Sequence, residues 1–335
     1  MADGKGNERC DSGVDILDIK MPSSRLERMV IKPILAASLL LKERPDAIHV
    51  HDPELLIMGC CLKLFGLNII YDAHEDLPKQ ILRKHWLPGF TRKTLSVVVK
   101  LLMRLCLSLY DAVVCATEGI AEQLQHKHVY VVKNYPLLSE LHSQIAVEKK
   151  PQQICYAGGI SNERGFIALL NALPENTRLA LAGQFIPESF EHELKQHAKW
   201  EQVDYYGYLN RQEIAKLYAE SIAGIVTLPQ NSHYDDTLPI KLFEYMSASL
   251  PVICSDFPLW EDIVTTHECG VAVNPSNEKA VGDAIGAFLS DEDEASRRGN
   301  NGRTAIETIY NWLSEEETLF SLYSQLPNIK NHPAA

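Results

Sequence analysis

Short β-branched runs alternate with helix-length segments along almost the whole chain, which is the signature of parallel α/β architecture. In the first half, Val14–Ile19, Ala47–His51, Asn68–Asp72, Ala112–Cys115 and His128–Val132 predict strands. Helices are predicted between them over Leu26–Leu41, Pro53–Phe65, Thr91–Leu109 and Ile120–Gln125. The polar stretch Ser139 to Gln153, with Glu148-Lys149-Lys150-Pro151 near its end, predicts a connector. A second series follows, with strands at Gln153–Ala157, Arg178–Ala182, Gln202–Tyr206, Gly224–Thr227, Val252–Cys254 and Val271–Val273. Its helices are predicted at Gly165–Ala172, Glu188–Lys199, Arg211–Ala219 and Ile240–Ala248, with two more near Glu278–Leu289 and Asn311–Leu322. Two tandem α/β units are expected, at residues 1–140 and 141–310, closed by a C-terminal helix and tail over 311–335. Ligands of such sheets gather at the carboxyl ends of the strands, here in a cleft between the units.

The start departs from this pattern. Such a unit opens on a buried strand and a glycine turn, whereas Ala2-Asp3-Gly4-Lys5-Gly6-Asn7 is polar and Val14 opens the first run. Either a polar terminus precedes the fold, or a first βα unit is missing.

Composition narrows the function. With 335 residues, two cores are the natural expectation. Hydrophobic residues at 46% and charged residues at 23% are ordinary for a globular protein. The net charge of -12 argues against a nucleic-acid partner, because no basic excess is available to displace counterions from phosphates. Most of the eight cysteines lie in apolar runs and none has C-x-x-C spacing, so a reducing cytoplasm is expected. Leu95–Leu109 is broken by Lys100 and Arg104, and is too short and too charged to span a bilayer.

The most informative segment runs from Asp236 to Asp256 and contains Pro239-Ile-Lys241-Leu-Phe-Glu244-Tyr245-Met246. Pro239 suits a helix start, and Lys241, Glu244 and Tyr245 then share one helical face or its edge. A helix N-terminus offers unpaired amides to an anion, and a carboxylate one turn in can take two ribose hydroxyls. The same spacing also fits an ordinary surface Lys–Glu pair. A second segment, Ile154-Cys-Tyr-Ala-Gly158-Gly159-Ile-Ser-Asn-Glu-Arg164-Gly165, reads as strand, glycine turn and helix start. Its glycines admit a ligand to the backbone, and Arg164 can pair with a diphosphate. Leu181-Ala-Gly183 is a third strand–glycine junction.

In the first half, His49-Val-His51-Asp52 and Asp72-Ala-His74-Glu75 end successive strands at one sheet edge. Helical metal-ligand spacing is absent, so hydrogen-bonding or capping roles are expected and no metal is assigned.

These motifs resemble retaining GT-B glycosyltransferases of glycosyltransferase family 4, especially the branch of bacterial polysaccharide assembly. The resemblance covers nearly the whole chain and is most specific at His51-Asp-Pro-Glu-Leu-Leu56, Tyr71-Asp-Ala-His-Glu-Asp76, Gly158-Gly-Ile-Ser-Asn-Glu-Arg-Gly165 and Pro239-Ile-Lys-Leu-Phe-Glu-Tyr-Met246. It implies two Rossmann-like domains, the N-terminal one on the acceptor side and the C-terminal one holding the nucleotide sugar. It further implies that Glu244 holds the ribose, that Asp236 faces the donor sugar and that His74 contacts that sugar. The family's paired diphosphate cations fall on Gly159 and Arg164, so the first is lost and Lys241 compensates. Gly158, Gly159, Arg164, Gly183, Lys241 and Glu244 are the expected binding residues. His74, Asp236, Arg164 and Lys241 are the expected catalytic ones.

Ser249 stands where the family places glycine. The family also opens with a strand and glycine loop that this chain begins after, so turnover of the chain as given is expected to be low. The expected donor is a nucleoside-diphosphate sugar, UDP rather than GDP, with no cofactor and no metal, since Arg164, Lys241 and helix amides neutralise the leaving group. The expected acceptor is a saccharide or lipid-linked saccharide. Lys79, Arg83, Lys84, Arg92, Lys93 and Lys100, interleaved with Trp86, Leu87 and Phe90, fit either peripheral docking on an anionic membrane's inner face or a solvated loop before a core helix. A catalytically silent nucleotide-binding relative and a nucleotide-sugar epimerase are the rival readings.

Overall fold

The structure is a computed structural model that describes residues 6–9, 13–84, 87–139, 141, 147–230 and 238–327. The chain forms two compact units. One comprises the residues up to Lys133 together with those from Glu316 onward, and the other comprises Asn134–Glu315.

The first unit begins with a small antiparallel pair, β1 (Glu8–Arg9) and β2 (Asp15–Ile16). The strand expected over Val14–Ile19 is therefore reduced to two residues and does not enter the main sheet. It pairs sideways with the segment before it, and Val14, Ile16 and Leu17 stay exposed instead of supplying a core face. A π-helical turn, Glu27–Ile31, runs into α1 (Lys32–Glu43), which ends where Arg44 turns left-handed. Then follow β3 (Ile48–Val50), α2 (Leu56–Leu64), β4 (Ile69–Ala73), α3 (Leu77–Arg83), α4 (Gly89–Leu107), β5 (Ala112–Cys115), α5 (Glu118–Ala121) and β6 (Val129–Val131). The four strands β3-β4-β5-β6 are parallel and adjacent in chain order. Val50, Tyr71, Ala73 and Val113 face a core built with Leu62, Met103 and Leu107 of the covering helices. The apolar period did not reveal α3, a helix of about two turns whose start is fixed by Asp76, which accepts from the Lys79 amide.

The second unit contains β7 (Gln153–Ala157), α6 (Phe166–Ala172), β8 (Arg178–Ala182), α7 (Phe190–Lys195), β9 (Val203–Gly207), α8 (Arg211–Ala219) and β10 (Ala223–Val226). It continues with α9 (Ile240–Ser247), β11 (Val252–Ser255), α10 (Pro258–Thr266), β12 (Gly270–Val273), α11 (Glu278–Ser290) and α12 (Glu292–Thr308). A last helix, α13 (Trp312–Ser324), carries the chain into the first unit. Its sheet is parallel throughout, in the order β12-β11-β10-β7-β8-β9. The chain leaves β7 to build one half, then returns to β10 on its other side, so the order reverses between β7 and β10. A crevice opens at the carboxyl ends of strands at such a point.

Two close approaches seat α9 on this sheet. Tyr245 is fully buried, its ring lies against Gly224 of β10, and its hydroxyl donates to the Ile225 carbonyl at 3.1 Å. On the opposite side α12 presents Gly299 and Gly302 to the α9 region. A Cβ on Gly299 would overlap the Ser249 carbonyl oxygen, and one on Gly302 would press on Met246 and Cys269. This explains why α12 escapes a reading by propensity: Gly299-Asn-Asn-Gly302 looks like a loop, yet its glycines are contact surface. Ser249 itself sits at φ 55°, the left-handed region for which the family's glycine is suited.

Among the described residues no helix is long and apolar enough to cross a membrane.

Helix propensity alone favours Gly→Ala by about 1 kcal/mol. We expect Gly299→Ala to destabilise the protein by at least about 1 kcal/mol, because the overlap costs more than propensity returns. Gly286→Ala in α11, with nothing within 4 Å of the added methyl, should stabilise. Denaturant midpoints of the two variants test this; a stabilised Gly299→Ala would show that α12 does not rest on its glycines.

Candidate functional site

At the carboxyl end of β7, Ala157 passes into Gly158 and Gly159. A Cβ on Gly158 would lie 2.9 Å from Cε of Lys241 and 3.1 Å from the Tyr156 hydroxyl. The turn after β8 approaches equally closely, since a Cβ on Gly183 would overlap the Gly158 carbonyl. The Gly158 amide donates to Ala182 at 2.9 Å, and the Gly183 amide donates to Gly207 at 2.7 Å. These positions are glycine because three chain segments share one small volume. Beyond them, residues Asn162–Arg164 form a short 3-10 turn, and Gly165 at φ 77° redirects the chain into α6. Arg164 donates through Nη1 to the Tyr156 hydroxyl at 3.1 Å, and that hydroxyl donates to the Gly159 carbonyl at 3.1 Å. Tyr156 therefore ties the guanidinium to the glycine turn.

Beside this turn stands α9. Pro239 supplies its N-cap, and Lys241 and Glu244 lie one turn apart. Glu244 is only 4% exposed, yet it is surrounded by charge. Its Oε1 accepts from Arg211 Nη1 at 2.6 Å, and its Oε2 accepts from Lys241 Nζ at 2.8 Å and from the Tyr218 hydroxyl at 3.1 Å. Burial opposes ionisation of this carboxyl, but the two cations and their hydrogen bonds outweigh it, and its pKa lies below the ordinary carboxylate value. Burial, reinforced by Glu244, pushes the Tyr218 phenol well above its usual range, which keeps it a proton donor. Tyr245, expected on the polar face or its edge, turns instead into the core beneath Glu244.

The structure therefore gathers Gly158, Gly159, Arg164, Gly183, Lys241 and Glu244 at one edge of the second unit. Asp236 lies outside the described residues. Sequence reading missed Arg211, Tyr218 and Tyr156. Asn210 and Glu213 form a reciprocal cap that marks the start of α8, but no local signal directs the guanidinium of Arg211 to a carboxylate 33 positions later.

His74 belongs to the first unit, where β3 and β4 bring it close to His51 and Asp72. His51 Nδ1 lies 3.2 Å from His74 Nε2 and 3.3 Å from Asp72 Oδ2, and His74 Nε2 lies 3.4 Å from Asp72 Oδ1. His49 stands behind them, 2.8 Å from the Tyr323 hydroxyl, with burial lowering its pKa against the opposing charge of Asp72. In the basic segment, Lys79 faces Asp76 and Arg92 donates to the Leu82 carbonyl; Trp86 and the side chain of Arg83 lie outside the described residues. Burial pushes the Cys115 and Cys155 thiols up to about 12, which leaves these two poor nucleophiles.

Residues 3–134 match the family described as Glycosyltransferase Family 4, and residues 139–305 match Glycosyl transferases group 1. Glycogen synthase of Mycobacterium tuberculosis is 21% identical over 84% of this chain and 69% of its own length. Among solved structures, sucrose-phosphate synthase from Thermosynechococcus elongatus superposes with a TM-score of 0.77 at 17% identity, covering 95% of this chain and 85% of that one. Anabaena HepE, solved in complex with UDP-glucose, gives 0.70 at 12% identity, covering 93% and 86%. The two matched families follow each other along the chain as the two parallel sheets do, and the chain belongs to glycosyltransferase family 4: it is a glycosyltransferase of GT-B fold.

Proposed function

We propose that the chain transfers a hexose from a UDP-sugar to a saccharide or lipid-linked saccharide during polysaccharide assembly. The observation that carries this reading is the buried Glu244 carboxylate, held ionised by Arg211 and Lys241 beside the Gly158–Gly159 turn. A carboxylate fixed in this way is an acceptor set for the two hydroxyls of a ribose. The open glycine backbone and Arg164 suit the diphosphate, and Lys241, already at the turn, can swing from Glu244 to a phosphate oxygen while Arg211 remains. UDP is the favoured nucleotide because HepE, similar over nearly the whole chain, binds UDP-glucose.

The reaction then needs little from side-chain nucleophiles. As the anomeric bond breaks, charge accumulates on the departing diphosphate. Once Lys241 has turned to the phosphate, it acts with Arg164 and the first amides of α9 to stabilise that charge. By the resemblance of their motifs, His74 and Asp236 are assigned to the donor sugar in this reading.

The acceptor reading rests on α4. Phe90, Val97, Leu101 and Leu105, seven and four residues apart, form an exposed apolar stripe. Lys93, Lys100 and Arg104 flank it on one side in the same spacing. An apolar stripe bordered by cations fits the headgroup layer of an anionic membrane, where a lipid-linked acceptor would lie.

Glu244→Ala is expected to weaken UDP binding by about 1.5–3 kcal/mol, the scale of a lost charge-assisted hydrogen bond. Free pyrophosphate should bind as well or better, since Lys241 is released. Calorimetry with both ligands decides the matter, and equal losses would sink the ribose assignment. Product analysis with UDP-glucose and a saccharide acceptor separates transfer from epimerisation.

For the membrane, flotation with vesicles containing phosphatidylglycerol should show binding that falls with salt and is lost on Lys93→Glu, Lys100→Glu and Leu101→Asp. Absence of binding at low salt, or binding indifferent to these changes, would mark α4 as a solvated helix.

A further inference from the structure

An ionised carboxylate offers about four lone-pair positions, two on each oxygen. Among the described residues, donors already stand on most of those of Glu244. Arg211 Nη1 lies 2.6 Å from Oε1, while Oε2 receives both Lys241 Nζ at 2.8 Å and the Tyr218 hydroxyl at 3.1 Å. Oε2 is therefore full, and Oε1 has a single position to spare. A ribose presents two neighbouring hydroxyls, so one of these donors must yield before both can be accepted.

The donors are not equally free to yield. Tyr218 is fully buried on α8, and losing its acceptor would cost a hydrogen bond inside the core. Arg211 is fixed at the first position of α8 by the reciprocal Asn210–Glu213 cap. Of the three, Lys241 belongs to both parts of the site. Its Nζ is on the carboxylate, while its Cε stands 2.9 Å from the place of a Cβ on Gly158. Arg164 lies over the next residue, with Cζ and Nε 3.8 Å from a Cβ placed on Gly159. The Lys241 ammonium, on a flexible stem, thus has a carboxylate on one side and a turn suited to phosphate on the other.

We propose that Lys241 is a latch that couples recognition of ribose to recognition of diphosphate: it holds the position on Oε2 that the second ribose hydroxyl needs, and a diphosphate at the Gly158–Gly159 turn draws it away. This rests on the assignment of the ribose to Glu244 and of the diphosphate to the turn. The consequence is selectivity for the joined molecule, a coupling between two parts of one site. A nucleoside brings nothing that competes with the carboxylate for the ammonium, so it gains one hydroxyl contact and not two. A diphosphate carries more charge than the carboxylate and takes the ammonium. Arg211 and Tyr218 stay, which keeps Glu244 ionised and aimed while the second hydroxyl enters.

The 2′-hydroxyl reports the latch. With the full-length protein, UDP should bind at least about tenfold more tightly than 2′-deoxy-UDP, the scale of one charge-assisted hydrogen bond. Uridine and 2′-deoxyuridine should bind within about twofold of each other, because one acceptor position serves either. In Lys241→Met, uridine should be favoured over deoxyuridine as strongly as UDP is over deoxy-UDP, although UDP itself binds more weakly. Mildly alkaline pH keeps Glu244 ionised once Lys241 is gone. Calorimetry measures the nucleotides and NMR titration the weaker nucleosides, with circular dichroism as the check on folding. A lysine that merely braced the fold would lower all four affinities alike. Equal 2′-hydroxyl preferences for UDP and uridine in the wild-type protein, a comparison that needs no variant, overturn the latch and leave the ribose assignment standing. Uridine that stays undetectable in both proteins overturns it too, since removing the latch opens both hydroxyl contacts. A wild-type protein indifferent to the 2′-hydroxyl of UDP overturns the ribose assignment itself.

Discussion

The candidate donor site depends on how closely α9 can lie against the sheet of the second unit. Gly224 below and Gly299 and Gly302 of α12 behind leave room for a helix that carries Tyr245, Phe243 and Met246 into the core. Only at that depth does Lys241 reach the glycine turn after β7, and only there is Glu244 withdrawn from water. Gly158 and Gly183 meet the same requirement at the ends of the neighbouring strands. The glycines here are best understood as sites of backbone contact.

Burying Glu244 is costly. An ion pair removed from water loses several kcal/mol of hydration per ion, and a well-packed apolar pair at the same place is often no less stable. The structure offsets the cost with Arg211, Lys241 and Tyr218 on two carboxylate oxygens. A stability role alone explains this arrangement poorly, since Leu242 and Met246 on the same helix pack well without charge. A carboxylate kept ionised and immobile beside an open backbone turn is better explained by a ligand with hydroxyl and phosphate groups. Arg211 gives the pair its persistence: when a phosphate draws Lys241 away, Glu244 still has a cation at 2.6 Å.

The first unit is organised differently. Its sheet edge carries the imidazoles of His51 and His74 beside Asp72, where the second carries the glycines Gly158 and Gly183. The outward face of α4 adds apolar surface that the core of this unit does not use, since Ser96, Met103, Cys106 and Leu107 already fill the inner side.

Much of this was legible in the order of residues. Strands such as Gln153–Ala157 and Ile69–Ala73, mostly apolar and buried on both faces, follow from local β propensity, and the glycines after β7 and β8 follow from the turns made there. Lys241 and Glu244 share a helix, so their neighbourhood was readable from spacing alone. Elsewhere local signals pointed the wrong way. Val14–Ile19 looks like a core strand but leaves Val14, Ile16 and Leu17 exposed, and Gly299-Asn-Asn-Gly302 looks like a loop but is helix packed on α9. The pairing of Arg211 with Glu244, the convergence of His51, His74 and Asp72, and the return of α13 to the first unit were decided by tertiary structure alone. Propensity and periodicity act over one or two turns of chain, whereas these contacts join residues more than twenty positions apart, and only the packing of helices on sheets brings them within a hydrogen bond of each other.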